Sequence, residues 1–227
     1  MTAANTVKIM NSIDSITLEV ADTAAAERFY QDAFGLDDRL RLRASDAPTT
    51  GFRAFTLSLV VAQPSTVTSL VESAVAAGAT TLKPAAKSLW GFGGAVQAPD
   101  GAIWTVATSA KKDTGPATRE IDEMVLLLGA DDVKASKRFY VERGFTVGKS
   151  VGSYVDFTLP SSPIGLALYR RGALAKSAGV APEGSGSHRI VIGSDLGTFT
   201  DPDGFVWGPA SGADGAKRDG TIGSSTA

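Results

Sequence analysis

One ordered set of signals occurs twice in this chain, and that repeat limits the fold more than any single motif does. Ile13–Asp14 corresponds to Ile121–Asp122 at an offset of 108 residues. Ala98–Pro99–Asp100–Gly101 corresponds to Asp201–Pro202–Asp203–Gly204 at an offset of 103. Between these anchors each copy carries an Arg–Phe–Tyr segment, Arg28–Phe29–Tyr30 and Arg138–Phe139–Tyr140, and a Trp stands three residues after each turn glycine, at Trp104 and Trp207. Unrelated amphipathic helices and common turns would reproduce the parts but not their order, so duplication is the better reading. The 227 residues leave room for two units of roughly 100 residues each.

Periodicity fills in the elements between the anchors. Ile13, Ile16, Leu18 and Val20 introduce a strand. Asp22 or Thr23 caps a helix whose inward stripe is Ala26, Phe29, Tyr30 and Ala33, and Gly35 ends it. Leu36, Leu40 and Leu42 suggest another strand, and Phe55–Ala62 is rich in β formers. Pro64 opens a second helix with Val67, Leu70, Val71, Ala74 and Val75 on one face. Short strands follow around Thr80–Lys83, Gly94–Gln97 and Thr105. Lys111–Thr118 is polar, contains Gly115 and Pro116, and reads as a linker. The pattern then restarts with a strand at Ile121–Leu128, a helix capped by Asp131 or Asp132, and strands near Phe145–Lys149, Tyr154–Leu159 and Ile164–Tyr169. A helical turn with Leu174 and Ala175, strands at His188–Ile192 and Phe205–Trp207, and a polar tail complete it. The predicted division is 11–109, a linker at 110–119, 120–210, and a mobile tail at 211–227.

Composition narrows the function. The 22 basic and 24 acidic residues are interspersed, with a formal charge of −2, so no basic footprint for nucleic acid is visible. The absence of cysteine removes disulfides, thiolate catalysis and cysteine–metal sites. Neither a secretion-like run at Met1–Met10 nor a stretch of roughly 18 apolar residues is present, which predicts a cytoplasmic protein with no membrane partner. Gly91–Phe92–Gly93–Gly94 lacks the lysine of a phosphate loop, and Asp201–Gly204 lacks the other oxygen ligands of a calcium loop. Ser161, Ser162, Ser185 and Ser187 sit outside any nucleophile-elbow context.

The duplicated motifs resemble the vicinal oxygen chelate superfamily, the glyoxalase/bleomycin-resistance/dioxygenase-like proteins. The matching signatures are Ile13–Asp22 with Arg28–Phe29–Tyr30 and Phe34–Gly35, then Ile121–Asp122–Glu123 with Arg138–Phe139–Tyr140. Leu89–Trp90–Gly91 and the two Pro–Asp–Gly turns with their tryptophans follow. The resemblance spans nearly all of Ile13–Pro209. It implies an α+β protein of two glyoxalase-like modules built from βαβββ-type units whose sheets curve around a cleft. Each copy is short in one place. Leu42–Phe55 holds little more than one short extra strand. Ile192–Asp201 is too short for a helix and a strand, which rise about 1.5 and 3.3 Å per residue. One shortened unit in each module is therefore expected.

The resemblance also implies where metal ligands would stand. The first-strand position matches Ser15 and Glu123, the central His position falls near Ser58 or Leu59 and at His188, and the final Glu position matches Thr105 and Gly208. Copy one offers no strong ligand, and copy two keeps Glu123 and His188 without the last carboxylate. A divalent ion needs several convergent donors, so no metal ligand, catalytic residue or cofactor is assigned. The expected function is metal-independent binding of a small apolar or aromatic molecule in a curved-sheet cleft, by a monomer or homodimer. Its candidate ligand-binding residues are Trp90, Phe92, Trp104, Glu123, His188 and Trp207, with Glu123 and His188 approaching one cleft. Core packing is the competing role for Trp104 and Trp207. The alternative function is a metal-dependent lyase, isomerase or dioxygenase of the same superfamily, and a third is an interaction protein that uses no cleft.

Overall fold

The computed structural model describes residues 11–209 apart from Leu36 and Trp90, so the tail 211–227 lies outside the described residues. The first repeat begins with β1 (Ile13–Val20), α1 (Thr23–Phe34), β2 (Leu40–Ala44) and β3 (Thr49–Gly51). It continues through β4 (Phe55–Val60), α2 (Pro64–Ala76), β5 (Thr80–Ser88), β6 (Gly91–Gln97) and β7 (Ile103–Thr108). The second contains β8 (Glu123–Ala130), α3 (Val133–Glu142), β9 (Thr146–Val151), β10 (Tyr154–Thr158), β11 (Ile164–Arg170) and α4 (Arg171–Ala178). It ends with β12 (Gly184–Gly186), β13 (Ile190–Ser194), β14 (Phe199–Thr200) and β15 (Val206–Pro209). The fold is α+β, as the resemblance implies. Among the described residues, no helix is long and apolar enough to cross a membrane.

Local chemistry sets the helix ends. Asp22 accepts a hydrogen bond from the Ala25 N–H, and Gly35, at φ 63°, donates to Tyr30 and Gln31 in a left-handed cap. Asp132 rather than Asp131 caps α3, accepting from the Lys134 and Ala135 N–H groups. The segment after Arg170 is a full helix, longer than the single turn expected from the sequence.

Strand pairing follows the units and crosses the linker. An eight-stranded sheet runs β5-β6-β7-β4-β8-β11-β10-β9, and a five-stranded sheet runs β14-β15-β13-β1-β2. The complete unit β4–β7 meets the complete unit β8–β11 through antiparallel β4 and β8. The two shortened units meet each other through antiparallel β1 and β13. In each complete unit the first strand lies parallel to the last, β4 with β7 and β8 with β11. The first shortened unit keeps only that parallel pair, β1 with β2. The other keeps β13 parallel to β15 plus the two-residue β14. The short strand expected between Leu42 and Phe55 is β3, and it pairs with β12 in a separate ribbon. That ribbon needs Gly51, because a side chain there, at φ 66°, would run into the Glu183 carbonyl.

The repeated Arg–Phe–Tyr and Pro–Asp–Gly signals prove to be two versions of one junction between helix and turn. Tyr30 of α1 donates to Asp100 Oδ2 at 2.6 Å, and its ring lies 5.4 Å from that of Trp104. Tyr140 of α3 donates to Asp201 Oδ2, with its ring 5.6 Å from that of Trp207. The copies differ in which acid is used. Asp203, the positional match of Asp100, instead accepts from the Asp131 N–H and the Ser136 hydroxyl at the start of α3. Burial, reinforced by Asp100 and Asp201, pushes both tyrosine hydroxyls well above their ordinary range, so they remain donors. These rings join a continuous core containing residues of both sheets.

Candidate functional site

Register assigns each strand residue of the eight-stranded sheet to a face. One row, Val96–Trp104–Leu57–Leu126–Leu166–Phe157, crosses six strands, and its members are buried. Tyr30 and Phe34 of α1 meet Trp104 of this row, and Tyr140 of α3 meets Phe157, so this face packs on helices. The neighbouring row, Ala95–Thr105–Ser58–Val125–Gly165, therefore points to the opposite face.

That second row holds the positions where the resemblance implies metal ligands. Thr105 lies beside Ser58, and Val125 lies across from Ser58. Glu123 is one alternation further out, opposite Val60. The matching row of the five-stranded sheet is Ser15–Gly193–Gly208. Two rows of hydroxyl, hydrogen and aliphatic groups do not fit a divalent ion, which requires imidazole or carboxylate donors to replace its water. Among the described residues no three His, Cys, Asp or Glu side chains gather to hold a metal.

One end of this sheet face, called the trough below, is covered by a helix. Helix α4 leaves the end of β11 and packs against β8 and β4, with the Arg171 Cα 3.2 Å from where a Cβ on Gly129 would stand. Lys83 of β5 holds the other end of α4 by donating to the Lys176 and Ser177 carbonyls at 2.9 and 2.7 Å. Thr56 and Ala167 near this end are fully covered. Away from it Ser58, Val60, Thr105, Ala107 and Val125 are half-buried and Glu123 is exposed. Beyond Ala167 the same face carries Tyr154 and Tyr169, paired in register with ring centroids 5.2 Å apart. Tyr154 donates to Asp156 Oδ2 at 3.2 Å. Burial first, then the charges of Asp156 and Glu123, pushes the Tyr154 hydroxyl up to about 12, keeping it protonated at neutral pH.

The candidates from the sequence scatter across this architecture. Trp104 and Trp207 are 0% exposed and belong to the core, which corrects their assignment as ligand contacts, because a fully enclosed ring offers a ligand no surface. Trp90 lies outside the described residues. Phe92 is half-buried on the helix-packed side, opposite Thr108, rather than in the trough. Glu123 does face the trough, its Oε1 lying 2.9 Å from where a Gly165 Cβ would stand. His188 does not join it. Its Nδ1 faces the Arg53 carbonyl at 2.7 Å, its Nε2 faces the Asp203 carbonyl at 3.0 Å, and its ring stacks on Phe205 at 4.2 Å. Both nitrogens address acceptors, so neither turns a lone pair toward a cation. The length of β4, roughly 16 Å at 3.3 Å per residue, separates the two. The expected meeting of Glu123 and His188 therefore does not occur: residues near in aligned motifs stand at opposite ends of a strand. His188→Ala is expected to cost about 1–3 kcal/mol through the lost hydrogen bonding to a backbone carbonyl and the lost stack on Phe205, while Glu123→Ala stays within about 0.5 kcal/mol. Urea denaturation of both variants checks this, and equal losses would contradict it.

The trough residues Tyr154, Tyr169 and Val125 were missed from sequence. Alternation in Tyr154–Val155–Asp156 and Ala167–Leu168–Tyr169 was the available signal, but which face it marked depended on the partner strands.

No protein-family model and no curated protein matches the sequence. Solved structures do. Glyoxalase I from Zea mays aligns with TM-score 0.58 at 15% identity, covering 87% of this chain and 91% of that one. A putative dioxygenase from Bacillus subtilis aligns with TM-score 0.51 at 11% identity, covering 80% and 69%. The chain therefore shares the two-module fold of glyoxalase I, in agreement with the duplication read from the sequence.

Proposed function

We propose that this glyoxalase-like fold binds a small apolar or aromatic molecule without a metal ion, in the open part of the trough. The supporting observation is the character of the row Thr105–Ser58–Val125. It offers two hydroxyls that no other described residue engages, set among the aliphatic groups of Val60, Ala107 and Val125. An aromatic or aliphatic body would lie on the aliphatic groups, with Tyr154 and Tyr169 at one side, and a polar substituent would reach the hydroxyls. Among the described residues no group of metal-binding side chains forms on this face, and its carboxylate Glu123 stands opposite Val60, one alternation from the Ser58–Val125 pair.

Titration with a neutral aromatic probe, N-phenyl-1-naphthylamine, tests the proposal. Saturable binding at one site is expected, unchanged by a chelator or by added zinc, nickel, manganese or ferrous iron. Val125→Arg, which places a long charged side chain across the row, should abolish it while the fold persists. Non-saturable binding, or binding that appears only with metal, would defeat the reading.

A further inference from the structure

We propose that a cavity between α2, the β5–β6 hairpin and the 111–118 segment is a second ligand site, suited to a small aromatic oxyanion such as an aryl phosphate or carboxylate. The cavity, about 710 Å³, is lined by Ser65 of α2, Lys87 and Phe92 of the hairpin, and Lys111, Lys112 and Asp113 of the segment, among others. Phe92 belongs to the helix-packed side of the eight-stranded sheet, so this cavity is separate from the trough.

Charge is the first argument. Three lysines line the cavity, and none of their ammonium groups forms an ion pair or hydrogen bond with another described residue. Two acids, Glu72 and Asp113, also line it, leaving a small positive excess. Asp113 is already committed, because its Oδ1 accepts from the Ser65 N–H at 2.7 Å and caps α2. An incoming anion would therefore be drawn by the lysines, with the helix terminus already satisfied. The Ser65 hydroxyl oxygen beside it is buried and has no hydrogen-bond partner among the described residues.

Construction is the second argument. Gln63, 4% exposed, fastens the segment through five hydrogen bonds. Its Oε1 accepts from the Thr114 N–H, the Thr114 hydroxyl and the Gly115 N–H, while its Nε2 donates to the Gly115 and Pro116 carbonyls. Thr66 accepts a further bond from the Thr118 N–H at 3.2 Å. Ordering a polar linker opposes its conformational entropy, and here the ordering brings two unpaired ammonium groups to a cavity wall. Phe92, half-buried, adds a flat apolar surface, and Pro64 and Ala117 add small ones. Positive charge beside an aromatic plane matches an oxyanion carried on a ring.

Calorimetric titration of the full chain with phenyl phosphate and with benzoate, at low ionic strength, tests this, with inorganic phosphate and benzyl alcohol as the two halves of the ligand. One saturable site is expected for at least one aromatic anion, roughly tenfold tighter than for either half, and weakening as salt screens the lysines. The stronger of the two aromatic ligands identifies the oxyanion. Lys111→Ala combined with Lys112→Ala should weaken binding roughly tenfold, with melting temperature confirming the fold. Lys134→Ala combined with Lys137→Ala on α3 should leave it unchanged. Val125→Arg, which blocks the trough, should also leave it unchanged, so the two proposals fail separately. No saturable binding, equal affinity for inorganic phosphate, equal losses in the two lysine pairs, or loss in Val125→Arg would each overturn the proposal.

Discussion

Trp207→Ala is expected to destabilise the protein by about 3–5 kcal/mol, the usual cost of truncating a large buried aromatic. Trp207 is fully enclosed, stacked on Phe199 at 5.2 Å with planes 12° apart, and meets Tyr140 at 5.6 Å and Phe145 at 5.9 Å. It joins β15 of the five-stranded sheet to α3, so the void would open where the shortened units meet the complete ones. Trp104→Ala should behave similarly, since its ring packs between Tyr30 and Phe34. Chemical denaturation measures the loss, and titration of each folded variant with the neutral probe measures binding. A loss below about 1 kcal/mol together with a large fall in affinity would return these tryptophans to the binding surface.

Asp201→Ala is expected to lose about 2–4 kcal/mol, because it strands several donors at once. The carboxylate accepts from the Tyr140 hydroxyl, from the Asp203 N–H at 3.0 Å and from the Phe205 N–H at 2.8 Å. Asp201→Asn should recover much of that loss, since an amide oxygen can still serve the two backbone donors without a buried charge. Burial raises the folded carboxyl above its ordinary value of 3.8, despite the opposing hydrogen bonds. The protonated form is thus relatively favoured by folding, and this contribution is complete below 3.8 and is lost as pH rises through the raised folded value. On acidification through that interval the parent should therefore gain stability relative to Asp201→Asn. Denaturation midpoints for the two proteins across pH 3–7 test the sign. A difference that moves the other way would show that the hydrogen bonds to the ionised form dominate.

The repeated tyrosine, turn acid and tryptophan were legible because each helix and turn announces itself locally. Asp22 before α1 and Gly35 after it can be read from neighbouring residues alone. So can the shortage of chain in Leu42–Phe55 and Ile192–Asp201, since element length follows residue count. The site was less legible. Glu123 was aligned as the first-strand position, yet register puts Val125 opposite Ser58. Glu123 and Val125 share a face, so alternation alone does not choose between them. His188 looked available until Arg53 and Asp203, distant in sequence, supplied carbonyls to both of its nitrogens.

By itself the sequence determined the duplication, the mixture of helices and strands and the limits of α1, because these depend on residue identity and short-range spacing. Only the tertiary structure decided that shortened unit joins shortened unit through β1 and β13 while the complete units join through β4 and β8. A strand's apolar alternation says that one face must be buried, but its backbone hydrogen bonds can be met by any strand of suitable length. Partner and register are settled when the whole core packs, with Tyr30 against Trp104 and Tyr140 against Trp207 holding helices and sheets together. That same packing decides which side chains share the trough and which remain enclosed in the core.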